Sequence, residues 1–296
     1  MSGREPSAIR CHEDPDLFRA AVNFTAAETA FPARLIEKDY FCSLLLEYLA
    51  ARDGSLVFKG GTCLAKVYAG FYRLSEDLDF VIPTAVDVSR AERSQRAAGV
   101  KEAVSALPAR LPGFRVVEPV TGANNSTQYI GVVAYVSLLS RQEETIKIEV
   151  GLREPLLMPV ANNPAGTILL DPVSHKPMVA PVSPRCMSKV EAFAEKFRAA
   201  LSRREVAIRD FYDIDYAVRK LGLQPQDEGM VRLVRKKQDV PGNEPVDVSE
   251  ERLAALRQQL EPQLKPVLRE RDFREFDLER AFRAVAEMAK RLGEHG

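Results

Sequence analysis

The sequence has no tryptophan and few side chains suited to histidine- or cysteine-based chemistry. Its three histidines, His12, His175 and His295, lie near the chain ends or in a proline-containing stretch. Its four cysteines are Cys11, Cys42, Cys63 and Cys186, and no two of them form a C-x-x-C pair. These absences argue against a histidine-based triad, a zinc ribbon and a dithiol redox motif. A disulfide framework is also unexpected in a chain of this length, so we expect reduced thiols.

Long apolar runs and an excess of charge of one sign are absent as well. No run approaches the ~18 apolar residues that a membrane helix needs, and residues 1–16 contain no apolar segment typical of a signal peptide. We therefore expect a cytoplasmic protein that does not associate with a membrane. Lys and Arg number 42, as do Asp and Glu. Zero net charge excludes a polycationic coat protein but permits a local basic patch that binds nucleic acid.

The hydrophobic pattern predicts an N-terminal α/β domain, residues 1–183, followed by an all-helical domain, residues 184–296. Helical periodicity spans 16–50, 63–72 and 86–107, and strand-like runs occur at 56–58, 78–82, 114–117, 129–139 and 146–150. The proline-rich stretch 155–185 is expected to be a connection with much loop. From 187 onward the period is helical again, with an apolar stripe through Val190, Phe193 and Phe197.

Two short motifs indicate a possible binding site for phosphate and metal. Gly60-Gly61-Thr62 follows a predicted strand, and glycine at such a turn lets main-chain N–H groups approach a phosphate. Asp77 and Asp79 stand two residues apart on the next predicted strand, so both carboxylates face one side. Each motif is common alone, as a simple turn or a solvated strand end. Together they indicate phosphate bound beside carboxylate-held Mg²⁺, which is the arrangement of a nucleotidyl-transfer site.

Glu149 is a candidate third carboxylate. It alternates with Ile148 and Val150 in a predicted strand. If that strand neighbours the Asp77–Asp79 strand, Glu149 completes a cluster that binds metal or accepts the proton of an attacking hydroxyl. The alternative is a solvent-facing glutamate paired with Lys147 across a hairpin.

Three segments together resemble the AbiEii/AbiGii toxin family. They are Glu37-Lys38-Asp39-Tyr40, Val57 to Leu64 with the Gly-Gly-Thr turn, and Arg73-Leu74-Ser75-Glu76-Asp77-Leu78-Asp79. The family belongs to the DNA polymerase beta-like nucleotidyltransferases and is related to the mycobacterial MenT toxins. The resemblance covers roughly residues 30–215. It implies a nucleotidyltransferase-like mixed β-sheet with flanking helices, and it implies that Lys38 and Asp39 brace the site rather than react.

The resemblance also implies roles for particular residues. Asp77, Asp79 and Glu149 would hold the metal, and these three together with Lys196 and Asp210 would be catalytic. The nucleotide would be bound by Lys59, Gly60, Gly61, Thr62, Ser75 and Lys196. From the residues alone, Lys196 lies at the edge of a helical stripe that it shares with Lys189. A solvated lysine is the alternative there, and Asp210 has the alternatives of a surface pair with Arg203 or Arg209, or of a helix cap.

The function that the resemblance implies is Mg²⁺-dependent transfer of NMP from an NTP to an acceptor hydroxyl, with Mn²⁺ as another possible ion. The acceptor would be the 3′ end of tRNA, with toxicity from blocked translation, and an AbiEi-type antitoxin would be the partner in phage defence. Two other classes stay open. One is a nucleotidyltransferase acting on a small molecule or a protein, and the other is a nucleotide- or partner-binding module without catalysis.

Overall fold

The computed structural model of the protein describes residues Arg10 to Glu294. The N-terminal stretch as far as Ile9, part of the segment in which no signal peptide is expected, and His295 lie outside the described residues. The chain divides into two compact units. The first comprises the described residues up to Leu156 and Val160–Met187, and the second comprises Leu157–Pro159 and the residues from Ser188 onward. The first unit thus ends four residues beyond the expected limit of 183, because residues 185 and 186 belong to its sheet.

The first unit is built on a mixed seven-stranded sheet. The strands are β1 (Val57–Lys59), β2 (Leu78–Val81), β3 (Phe114–Ala123), β4 (Gln128–Val136), β5 (Glu143–Gly151), β6 (Ala161–Asn162) and β7 (Arg185–Cys186). Their order is β3-β4-β5-β2-β1-β7-β6. Strand β2 pairs parallel with β5 and antiparallel with β1. The central strand β2 is therefore flanked by β1, which precedes it in sequence, and by β5, which follows it only after β3 and β4.

Six α-helices belong to the part of the first unit that the structure describes. They are α1 (Pro15–Thr29), α2 (Ala33–Arg52), α3 (Gly60–Cys63), α4 (Arg90–Arg96), α5 (Ala98–Ser105) and α6 (Leu107–Arg110). Helix α1 begins where the Asp14 carboxylate accepts hydrogen bonds from the main-chain N–H groups of Asp16 and Leu17. It ends at Ala30, which takes a left-handed conformation. Helix α3 continues as one wide turn over Leu64–Tyr68.

A single apolar core joins α1 and α2 to one face of the sheet. Leu44, Leu45 and Leu46 of α2 are buried together with Ile146, Ile148 and Val150 of β5. Phe41 stacks on Tyr135 with ring centroids 3.9 Å apart. Since alternate residues of a strand face opposite sides, this packing leaves Lys147 and Glu149 on the other face of β5.

The second unit is helical, as the sequence indicates. Its helices are α7 (Lys189–Ser202), α8 (Ile208–Lys220), α9 (Glu228–Gln238), α10 (Glu250–Gln259), α11 (Glu270–Glu275) and α12 (Leu278–Gly293). Ser188 caps α7 by accepting a hydrogen bond from the Glu191 amide, and Asp277 caps α12 through the Arg280 amide. No helix among residues 10–294 is long and apolar enough to cross a membrane.

Several elements differ from the sequence expectation. The single helix expected over 86–107 is three short helices, α4 to α6, and the strand expected to end at residue 117 continues to Ala123 through register shifts around Glu118. Val190, expected in the apolar stripe of α7, is 45% exposed. The basic run Arg235-Lys236-Lys237 is typical of a solvated helix face, but Lys237 is fully buried and its ammonium lies 2.7 Å from the Glu191 carboxylate.

Candidate active site

Strand pairing brings the predicted polar residues of the first unit into one row. Lys59 of β1 pairs in register with Asp79 of β2, and Asp79 pairs in register with Glu149 of β5. Residues in register on neighbouring strands point to the same face, about 5 Å apart. The condition placed on Glu149, that its strand neighbours the one carrying Asp79, is thus met. All three side chains are half-buried.

Asp77 lies just outside the strand on which the sequence places it. Strand β2 begins at Leu78, and Asp77 forms the bend before it. The hydroxyl of Thr62 donates to the main-chain carbonyl of Asp77 at 2.5 Å. The buried threonine therefore ties the Gly-Gly-Thr turn to the start of the Asp-x-Asp segment. Ser75, also expected to bind nucleotide, is half-buried in the irregular segment leading to Asp77.

The two glycines of the turn are required by their neighbours. Gly60 has φ +76°, and a Cβ there would collide with the Asp79 carboxylate. A Cβ at Gly61 would collide with the guanidinium of Arg73, a residue that is only 2% exposed. The sequence suggests that the glycines leave room for a phosphate. The structure shows that they also leave room for Asp79 and for Arg73.

The two carboxylates in register have opposite pKa shifts. Burial, reinforced by the nearby charges of Glu149 and Asp77, raises the pKa of Asp79 to about 6 against the partial opposition of Lys59. Burial alone would also raise the pKa of Glu149, but the Lys147 charge and a hydrogen bond from Gln128 bring it below its usual value. Neighbouring carboxylates with separated pKa values are typical of sites that divide proton acceptance and charge binding between them.

Lys147 and Gln128 are contributors that the sequence reasoning did not place in the site. The Lys147 ammonium lies 3.1 Å from a Glu149 carboxylate oxygen. The lysine and the glutamate belong to one strand, two residues apart, and not to opposite sides of a hairpin. Glu149 therefore contacts Lys147, as expected, and also lies in register with Asp79. The period-2 spacing of Lys147 and Glu149 was the available sequence signal.

A second set of charges holds the segment before Asp77. Glu76 accepts hydrogen bonds from Arg34 at 2.6 Å and from Lys38 at 3.3 Å. Burial opposes ionisation of Glu76, but the Lys38 and Arg34 charges keep its pKa below the usual value. Asp39 is buried in an ion pair with Lys66 at 2.6 Å. Lys38 thus contacts the segment before Asp77, and Asp39 contacts the wide turn that continues α3.

The donor chemistry of the first unit fits a divalent cation. Asp77, Asp79 and Glu149 offer hard carboxylate oxygens. Burial, together with the repulsion from the neighbouring carboxylates, raises the pKa of Asp79, and a bound cation would offset both effects. Among residues 10–294, no three Asp, Glu, His or Cys side chains already converge on a point as metal ligands. The three carboxylates therefore match a metal in charge and donor type without forming a completed cage.

The two predicted residues of the second unit contact each other. The Lys196 ammonium of α7 lies 2.6 Å from the Asp210 carboxylate of α8. It also lies 2.8 Å from the carboxylate of Asp213, which is fully buried. Arg203 approaches Asp210 at 3.4 Å, but Asp210 is buried, so this contact is not the surface pair that was considered as an alternative. Asp213 was not expected to be a site residue, although it stands with Asp210 in the run Arg209-Asp210-Phe211-Tyr212-Asp213.

Lys189 differs clearly from Lys196. It is the first residue of α7, half-buried, and it makes no ion pair within the part of the chain that the structure describes. Sequence spacing put the two lysines on the same helix edge. The structure separates them by their surroundings, because only Lys196 is held between carboxylates.

Comparison with known proteins identifies the family. Residues 44–290 match the family described as nucleotidyl transferase AbiEii toxin, type IV toxin–antitoxin system. The match runs through the helical region to residue 290, well beyond the 30–215 stretch in which the resemblance was visible. No curated protein matches the sequence.

Two solved structures from Helicobacter pylori are similar to this chain. JHP933 is 15% identical, with a TM-score of 0.51 over 90% of this chain and 96% of that one, which is a likeness of fold. A second protein, described as a candidate nucleotidyltransferase, is 16% identical, with a TM-score of 0.47 over 86% of this chain and 95% of that one. With a family match over most of its length, the chain belongs to the AbiEii family of toxins and is a nucleotidyltransferase.

Proposed function

We propose that the enzyme transfers a nucleoside monophosphate from an NTP to the 3′ end of tRNA and thereby blocks translation. The observation that carries the proposal is the register of Lys59, Asp79 and Glu149 beside the Gly-Gly-Thr turn, in a member of a nucleotidyltransferase toxin family. In the reaction, the acceptor hydroxyl oxygen bonds to the α-phosphorus. The bond from the α-phosphorus to the β-phosphate oxygen breaks, and pyrophosphate leaves.

The carboxylates of the first unit have two tasks in this proposal. Asp77, Asp79 and Glu149 would hold Mg²⁺, or Mn²⁺ in its place, and a bound divalent cation supplies positive charge to the triphosphate oxygens. One carboxylate also accepts the proton of the acceptor hydroxyl. Glu149 and Asp79 are the candidates for that task, since a carboxylate beside the attacking hydroxyl can accept its proton.

Nucleotide binding is assigned to the turn and to the helical unit. Helix α3 begins at Gly60, and its N-cap residue Lys59 supplies no side-chain hydrogen bond to the first turn. Main-chain N–H groups at Gly60, Gly61 and Thr62 therefore remain suited to a phosphate. We propose that Lys59, which precedes the turn, and Ser75, which precedes Asp77, also bind the nucleotide. Lys196 and Asp210 are proposed to act on the reacting phosphates, with Asp213 holding the Lys196 ammonium in place.

The family description supports a role as the toxin of a toxin–antitoxin pair. We propose an AbiEi-type protein as the antitoxin, a cytoplasmic site of action and a part in phage defence. Induced expression in a bacterial host then arrests growth, and Asp77→Ala restores it. Equal arrest by the Asp77→Ala protein, at equal protein level, would disconnect toxicity from nucleotidyl transfer.

The most informative experiment is incubation of the purified protein with total RNA and each of the four α-labelled NTPs separately. The proposal predicts label in the tRNA fraction with a preferred base, dependent on Mg²⁺. Label on protein or on a small molecule, with none on RNA, would favour the other acceptor classes. Absence of transfer to any acceptor, with NTP binding retained, would favour a binding module.

A further inference from the structure

A cavity of about 570 Å³ opens on the face of the seven-stranded sheet opposite to the one that carries Asp79 and Glu149. It is lined by Arg90, Ala91, Ser94, Lys101, Gly122, Ser126 and Tyr129. Tyr129 of β4 pairs in register with Val150, the residue after Glu149. Because side chains alternate along a strand, Tyr129 faces away from Asp79 and Glu149. The Cα atoms of Tyr129 and Glu149 are nevertheless within about 10 Å of each other, given the spacing of paired strands.

The lining of this cavity is cationic and hydroxyl-rich. Arg90 and Lys101 line it, and no carboxylate does. Within residues 10–294, neither Arg90 nor Lys101 forms an ion pair. The Lys101 ammonium lies 4.8 Å from the centre of the Tyr129 ring and 3.4 Å from the Ser94 hydroxyl. Two positive charges that the protein leaves without an acidic partner attract an anion.

The Tyr129 hydroxyl is a second, independent sign of a missing ligand. Tyr129 is 1% exposed, and its hydroxyl has no hydrogen-bond partner among the described residues. A buried hydroxyl without a partner is costly, and such groups in folded proteins usually have an unseen partner. A Cβ at Gly122 would stand 3.1 Å from the Tyr129 ring and 3.2 Å from the Ser126 hydroxyl oxygen. The glycine therefore keeps space open beside both.

We propose that this cavity binds a phosphate group of the RNA acceptor. Two unneutralised cations with several hydroxyl groups match a phosphate, which carries negative charge and accepts several hydrogen bonds. The choice of RNA over a free nucleotide rests on the function proposed above. The NTP already has the Gly-Gly-Thr turn for its phosphates, whereas a polymer that ends near Glu149 offers further phosphates along its backbone. The cavity would add affinity for RNA without reading base sequence.

The proposal is tested by binding labelled tRNA to the full-length protein at several salt concentrations. The double variant Arg90→Ala/Lys101→Ala removes both charges, and Arg110→Ala/Lys176→Ala removes two exposed charges that do not line the cavity. We expect the cavity variant to bind at least about tenfold more weakly, with a salt slope smaller by about 1, because the loss of one phosphate contact lowers the slope by roughly 0.7 to 0.9. The control keeps the affinity and slope of the parent. A cavity variant with parental affinity and slope would overturn the proposal.

Tyr129→Phe provides a variant that changes no charge. If the hydroxyl meets a phosphate, this variant weakens tRNA binding while the melting temperature stays the same or rises. Unchanged tRNA binding would contradict a phosphate at this hydroxyl. Competition with inorganic phosphate and with ATP separates the sources of phosphate: loss of their binding in the cavity variant, with tRNA binding intact, would overturn the RNA assignment.

Transfer activity keeps this proposal apart from the proposed function. Asp79→Asn is expected to retain tRNA binding and to lose transfer. If the parent binds tRNA through Arg90 and Lys101 but transfers no nucleotide to it, the proposed function fails and the cavity assignment stands. If the parent transfers nucleotide to tRNA while the cavity variant binds tRNA normally, the proposed function stands and the cavity assignment fails.

Discussion

The carboxylate of Asp79 occupies the space in which a side chain at residue 60 would lie. Gly60 also has a positive φ, which glycine adopts far more easily than other residues. The turn and the central carboxylate of the row are thus fitted to each other. A change at either position is expected to disturb the other.

Gly60→Ala is predicted to damage activity more than stability. The left-handed conformation costs alanine about 1 to 2 kcal/mol, and the new methyl group displaces Asp79 from its place beside Glu149. We expect a loss of transfer rate of at least about tenfold and a modest fall in melting temperature. Gly54→Ala is the control, because a Cβ at Gly54 meets nothing within 4 Å and its φ is not positive. Normal rates for Gly60→Ala would contradict the close fit of turn and carboxylate.

Asp79→Asn is predicted to stabilise the metal-free protein at high pH. The folded pKa of about 6 lies above the ordinary value of 3.8, so the folded state binds the proton more tightly than the unfolded state. The free energy of unfolding of the parent therefore falls as the pH rises from about 4 to about 6. A shift of this size amounts to at most about 3 kcal/mol, and after solvent screening we expect roughly 1 to 2 kcal/mol.

Denaturant unfolding of both proteins at pH 4, 6 and 8 measures this difference. We expect Asp79→Asn to exceed the parent in unfolding free energy at pH 8 and to match it near pH 4. A difference that does not change with pH, or a less stable variant at pH 8, would show that Asp79 is not held in an environment unfavourable to its charge.

Addition of Mg²⁺ is predicted to offset the unfavourable burial of the Asp79 charge. A ligand that binds only the folded protein stabilises it according to its concentration and affinity. We expect Mg²⁺ to raise the melting temperature of the parent at pH 8 and to have much less effect on Asp79→Asn. Equal shifts in the two proteins would place the cation elsewhere.

Lys196→Ala is predicted to lose both stability and activity, and Lys189→Ala to lose neither. Without Lys196, the buried carboxylates of Asp210 and Asp213 lose the ammonium group that lies between them. Loss of one partner from a buried ion pair typically costs about 3 to 5 kcal/mol. The double variant Lys196→Ala/Asp213→Asn separates the two effects, since it removes one of the stranded charges. We expect it to recover much of the stability and little of the transfer rate. Recovery of both would mean that Lys196 has a structural role alone.

Much of the first unit follows from local sequence patterns. Alternation at Ile146, Ile148 and Val150 predicts β5, and the apolar run before Gly60 predicts β1, because side-chain period and turn residues are local properties. The parallel register of Asp79 with Glu149 is not local. This register depends on which strands become neighbours in the sheet. From the sequence alone, the role of Glu149 could therefore be stated only on the condition that the two strands are adjacent.

Sequence patterns predict the burial and the partners of charged residues least well. Lys237 appears in a basic run that suggests a solvated face, yet it is buried against Glu191. The partner stands on another helix, and a basic run contains no information about it. The same holds for Lys196, whose contact with Asp213 distinguishes it from Lys189 only after α7 and α8 have packed.

The central claim, that Asp79 is required for nucleotidyl transfer, is tested most directly by transfer of label from an α-labelled NTP to tRNA. The parent, Asp79→Asn and the control Asp87→Asn, an exposed aspartate outside the site, are compared at equal concentration with Mg²⁺. The account predicts parental rates for Asp87→Asn and loss of transfer, by about a hundredfold or more, for Asp79→Asn with its fold intact. Parental rates for a folded Asp79→Asn protein would contradict it.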